Sequence, residues 1–140
     1  MEERKVVLSI KGRGEEGEED KVELLTEGTC TRDGEALILK YQESELSGLE
    51  GSTTVFTVEN GRVVMERQGA FSSYCVLEEG KKFEGSYDTP AGSMRMGVLP
   101  LRVLSTEDKT GGALDLLYVV DLGGRQEPRE LNVRFRYMPN

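Results

Sequence analysis

The chain contains no histidine and no tryptophan, only two cysteines and four prolines, and aromatic residues make up just 6% of it. Without histidine there is no Ser-His-Asp triad, no Cys-His pair and no imidazole ligand for zinc. A hydrolytic activity would have to run on carboxylates or lysine alone. Cys30 and Cys75 lie far apart with no Cys-x-x-Cys spacing, and in a reducing compartment such a pair reads as two buried structural thiols. Long apolar runs are also missing. No stretch approaches the roughly 20 residues that a membrane-crossing helix needs, and Met1-Glu2-Glu3-Arg4-Lys5 lacks the greasy segment of a secretory leader. The expectation is a cytoplasmic protein with no membrane partner.

Positive charge is scarce. Eighteen Lys and Arg stand against 26 Asp and Glu, a net charge of -8, which argues against nucleic acid because phosphate backbones are bound by neutralising them. The one basic cluster, Arg129 with Arg134 and Arg136, reads as a solvated strand edge. The acidic run Glu15-Glu16-Gly17-Glu18-Glu19-Asp20 lacks the alternating Asp/Asn pattern and distal Glu of a calcium loop. It reads as a solvated connection, and no metal or cofactor is expected.

What the chain does have is alternation. Period-two patterning recurs nearly from end to end, and no window of helical length carries an apolar stripe at spacings of three and four. Strands are expected near residues 5–11, 22–31, 36–45, 53–58, 63–69, 82–87, 94–105, 113–122 and 130–137. Asp33-Gly34 and Asn60-Gly61 are tight-hairpin signals, Glu79-Gly80 a weaker one, and Asp88-Thr89-Pro90-Ala91-Gly92 ends a strand. Leu99-Pro100 interrupts a long run and predicts a bulge or bend. Gly123-Gly124 and Pro128 separate the last two strands. With 140 residues, 36% of them hydrophobic, the chain fits one domain over residues 1–140, its core built mainly from Leu, Val, Ile and Met. The fold class is all-β: a single closed antiparallel meander β-barrel of about 8–10 strands, because an open sheet this long would leave sticky edges.

One segment sends charge inward. Between residues 36 and 69, Leu37, Leu39, Tyr41, Glu43 and Glu45 share one expected strand face, and Val63, Met65 and Arg67 share another. A carboxylate or guanidinium inside a barrel has to be paired and hydrogen-bonded. Arg67 meeting Glu43 or Glu45 would either close the barrel end or leave donors for a ligand. Tyr87 and Tyr118 are further inward aromatics whose hydroxyls need partners. Tyr41, Glu43, Glu45, Arg67, Tyr87 and Tyr118 are therefore the candidate ligand-binding residues, and no catalytic set is assigned. Residues two apart on a strand lie about 7 Å apart, a spacing compatible with paired carboxylates, so an enzyme using Glu43 and Glu45 as acid and base is an alternative. Leu117 and Val119 face away from the inward Leu116, Tyr118 and Val120, which raises a homodimer as a third reading.

The order Tyr41-Gln42-Glu43 with Gly48, Arg67-x-Gly69, Tyr87-x-Thr89-Pro90-x-Gly92 and late Tyr118 resembles the YwiB-like family of small uncharacterised bacterial proteins, over nearly the whole chain. The resemblance implies a calycin-like, lipocalin-like barrel in a cytosolic bacterial protein with no assigned activity. Function is not inherited from such a fold. The leading expectation is a non-catalytic binding or accessory protein for a small polar or amphipathic molecule held in the barrel.

Overall fold

The computed structural model describes residues 2–14 and 21–139; the acidic run at residues 15–20 lies outside them. Ten strands follow one another: β1 Glu2–Arg13, β2 Lys21–Asp33, β3 Ala36–Gln42, β4 Ser52–Glu59, β5 Arg62–Gly69, β6 Ser72–Leu77, β7 Phe83–Thr89, β8 Gly92–Glu107, β9 Gly111–Leu122 and β10 Arg125–Tyr137. Each strand pairs antiparallel with its neighbour in sequence, and β10 returns to β1, which closes a barrel. The expected all-β closed meander is the observed fold.

Alternation decides what fills the barrel. Val6, Leu8 and Ile10 of β1, Leu37, Leu39 and Tyr41 of β3, Leu114 and Leu116 of β9, and Val133 and Phe135 of β10 point inward and are buried. One layer of the interior is packed by Leu39, Phe56, Met65 and Cys75, which lie opposite one another across four strands. Burying one such apolar side chain contributes about 1.5–3 kcal/mol.

The turns follow from backbone sterics. Asn60 and Gly61 both hold positive φ, 54° and 76°, so Glu59 and Arg62 face each other across a type I′ turn whose twist suits the strands. At Asp33-Gly34 the reversal sits one residue later than the dipeptide suggests. Asp33 pairs with Ala36 as part of the ladder, and Gly34 alone carries positive φ at the first turn position, a type II′ geometry.

β8 contains the expected irregularity. Pro100 lies opposite Tyr118 and Arg102 opposite Leu117, so Leu101 is an extra residue. Met96, Val98 and Pro100 face inward before it and Val103 after it, and the parity of inward positions changes at this point. Pro128 does not separate strands; it lies within β10. Among the described residues β1 pairs with β10 only as far as Glu130, so none of them lies opposite Pro128 on that flank, a place in a strand where a missing N–H is tolerated.

Candidate functional site

One rung of the barrel carries most of the chemistry. Tyr41 lies opposite Thr54, Thr54 opposite Arg67, Arg67 opposite Ser73, Ser73 opposite Tyr87, and Tyr87 opposite Met94. This rung sits one layer beyond the Phe56 and Cys75 layer, toward the end of the barrel where β3 runs out and β4 begins. Tyr41 stacks on Phe56, with ring centroids 6.3 Å apart and planes at 24°, which ties the polar layer to the apolar floor.

Glu43 reaches the same layer from just past the end of β3. Its amide donates to Ser52 O at 2.9 Å, which prolongs the β3–β4 pairing by one step and keeps the inward parity of Tyr41. The side chain is 2% exposed, and Oε2 accepts a hydrogen bond from Thr54 Oγ1 at 2.5 Å. Arg67 Nε lies 3.8 Å from the same Oε2, and this nitrogen is shielded from solvent without a hydrogen-bond partner among the described residues. The pair is a charge contact across a gap slightly too wide for a bond.

The tyrosines respond to this field. Burial pushes the Tyr41 hydroxyl well above its ordinary value; the Glu43 carboxylate adds to the shift and Arg67 partly opposes it. Tyr118 is raised by burial as well, and Arg67 works against that shift, so the same guanidinium acts on an inward tyrosine of β3 and on one of β9. Tyr87 is half-buried and meets Phe71 edge-on, with centroids 6.4 Å apart at 81°.

Five of the six expected residues, Tyr41, Glu43, Arg67, Tyr87 and Tyr118, therefore share one end of the barrel. Glu45 does not. β3 stops at Gln42, and Glu45–Ser47 form a single 3-10 turn that begins at Ser44, whose hydroxyl accepts from Leu46 N, and ends at left-handed Gly48. Glu45 is exposed on this turn, so the expected strand spacing between Glu43 and Glu45 does not exist and the two carboxylates do not converge.

Two members of the site lie outside the sequence expectation. Thr54, fully buried, supplies the hydroxyl that holds Glu43; its inward parity with Phe56 is a signal that alternation carries. Arg129 lies opposite Tyr118 and Glu127 opposite Val120, so both share the inward parity, and Arg129 Nη2 contacts Glu127 Oε2 at 2.8 Å. Arg129 thus parts company with Arg134 and Arg136, which are exposed on the other face of β10. The three do not form one basic edge.

The opposite end of the barrel is also polar. Arg32 on β2 pairs with Glu107 on β8, Tyr137 donates to Glu107 Oε2 at 3.3 Å, and the Arg4 guanidinium sits 3.9 Å from the centre of the Tyr137 ring. Acidic Glu35 and Glu59 line the same mouth.

The family described as Domain of unknown function (DUF1934) matches residues 8–133. The chain belongs to this family. Its fold is that of the ywiB protein from Bacillus subtilis, whose crystal structure superposes with a TM-score of 0.85 at 20% identity, covering 98% of this chain and 94% of that one. This agrees with the resemblance carried by the tyrosine, arginine and glycine motifs. No curated protein matches the chain. Among the described residues no helix is long and apolar enough to cross a membrane, and Cys30 and Cys75 are free, buried thiols.

Proposed function

We propose that the chain is a non-catalytic binding protein that holds a small polar or amphipathic molecule at the barrel end formed by Tyr41, Glu43, Arg67, Tyr87 and Tyr118. The supporting observation is Arg67 Nε, a shielded donor with no hydrogen bond among the described residues, set 3.8 Å from a carboxylate already engaged by Thr54. An unsatisfied donor on a guanidinium is costly to keep, and since the Arg67 side chain is 20% exposed, a small turn of it would bring the guanidinium to a ligand carbonyl or carboxylate oxygen at the mouth. Tyr87, Phe71 and Met94 offer the apolar surface beside it. Since Phe56 and Cys75 fill the layer beneath, the ligand is small and sits in the mouth. With Glu45 out in solvent, the two-carboxylate arrangement loses its geometric basis, and binding is the reading that the remaining residues support. The free thiols support placing the protein in a reducing compartment.

A thermal-shift panel of aliphatic and aromatic carboxylates, amides and sugar phosphates tests the assignment, because a ligand that binds only the folded state raises the midpoint. The expected result is a compound that stabilises the wild type and Glu45→Gln but not Arg67→Gln. A panel without a hit at millimolar concentration, or a hit kept in full by Arg67→Gln, overturns it.

A further inference from the structure

The outer wall of the barrel carries an apolar patch that the ligand reading does not use. On β8, Leu99, Leu101 and Leu104 are 38%, 52% and 51% exposed. The extra residue in β8 is part of the cause: it leaves Leu101 and Arg102 both exposed in succession, and moves Leu104 onto the outer face. Val119 lies opposite Leu99 on one side and Pro128 on the other, and Leu117 lies opposite Arg102 on one side and Glu130 on the other. The patch thus spans three long strands, with an apolar row Leu99, Val119, Pro128 above a row in which Leu117 is flanked by a cation on β8 and an anion on β10. Contiguous exposed apolar surface with a polar rim marks an interaction face.

We infer that this face docks a second copy of the chain, with the twofold axis running parallel to β9 between the two sheets. The charges select both the partner and the axis. A twofold parallel to β9 exchanges β8 and β10, so Arg102 of each copy comes over Glu130 of the other, Leu99 comes over Pro128, and the Leu117 and Val119 side chains meet at the axis. An axis perpendicular to β9 through the Leu117 row would set Arg102 against its own equivalent, and one between the rows would set it over Leu99; neither gives Arg102 an opposite charge. Among the described residues Arg102 adds to the positive field on Asp115 and Glu130 lies opposite Arg13, but neither closes an ion pair there, so both can turn to a partner across the interface. An isologous contact of this kind is the commonest way for a chain to bury such a surface. Six apolar side chains make a small interface, so weak, reversible association is expected.

Sedimentation equilibrium across low to high micromolar concentration, combined with charge reversal, tests this. Wild type is expected to dimerise reversibly. Arg102→Glu alone and Glu130→Arg alone each set like charges together and weaken association by about tenfold or more. An equimolar mixture of the two variants restores the dimer as a one-to-one hybrid, visible by native mass spectrometry, because both contacts between positions 102 and 130 across that interface are again of opposite charge. Thermal melting confirms that each surface variant folds, and Val119→Lys, in the centre of the patch, is expected to be monomeric. A wild type that stays monomeric throughout, a dimer indifferent to both single reversals, or a mixture that fails to form the hybrid overturns the proposal.

Discussion

Arg67 and Glu43 can be separated by a double-mutant cycle that distinguishes the charge from the space it fills. Arg67→Met keeps much of the bulk but leaves a carboxylate that is 2% exposed beside no cation. Because the Arg67 side chain is itself 20% exposed and makes no hydrogen bond to Glu43, the expected loss is about 1–3 kcal/mol, below that of an ideal buried pair. Glu43→Gln retains an acceptor for Thr54 and costs less, and the double variant recovers most of the Arg67→Met loss, since the stranded charge is gone. Urea unfolding of the four proteins measures this; simple additivity would show that the two side chains do not interact. Cys75 gives a prediction in pH. Burial pushes its thiol from 9.0 up to about 12, so the folded protein keeps a proton that the unfolded chain has lost, and the stabilisation is complete below pH 9 and disappears as pH rises toward 12. A folded pKa one pH unit above the unfolded one corresponds to about 1.4 kcal/mol. Tyr41 and Tyr137 titrate high as well, so the comparison is with Cys75→Ala, whose urea midpoint should fall less steeply than that of the wild type between pH 9 and 12.

Elements, more than residues, decide which side chains face the barrel interior. Glu45 shows this most clearly: strand alternation would have carried it inward, but Ser44 and Gly48 close a 3-10 turn and end the strand before alternation reaches it. Those same residues are visible in the sequence, yet Ser-Glu-Leu-Ser-Gly has no signature that fixes whether β3 stops before or after Glu43. Parity is more legible. The inward set of β1, β3, β5 and β9 follows directly from the spacing of their apolar residues, whereas Arg129 escapes because it stands near two other arginines and the local pattern starts the last strand only at Glu130. Leu101 makes the role of the bulge testable. Deleting it restores an even ladder in which Arg102 follows Pro100 and Val103 still faces inward, so the protein folds with a loss under about 2 kcal/mol. Deleting Leu104 instead turns Ser105 and Glu107 outward, breaks the Arg32–Glu107 pair and costs more; urea midpoints of the two deletions rank them.

The whole barrel is unevenly closed. β1 and β2 are paired along twelve positions from Glu2 to Arg13, and β10 and β9 along nearly their full lengths, but the β6–β7 ladder among the described residues consists of Ser72 opposite Asp88 and Ser73 opposite Tyr87. Local opening is favoured where few backbone hydrogen bonds tie neighbours together. Hydrogen exchange should therefore be fastest along β7 and slowest in β1, β9 and the half of β10 that faces β1. If β7 proved as protected as β9, this seam would not be the weak point. The same seam lies on the wall that carries Tyr87 and adjoins Arg67.

The sequence by itself determined the class of the fold, the approximate strands, the hairpins at Asn60-Gly61 and near Gly34, the interruption in β8 and the inward direction of Tyr41, Arg67 and Tyr118, because alternation and turn chemistry act over a few residues. Only the tertiary structure decided which of these inward groups meet. Glu43, Thr54 and Arg67 come together because register places three strands side by side, and register is set by closing the barrel around its core, a long-range condition that no local pattern encodes.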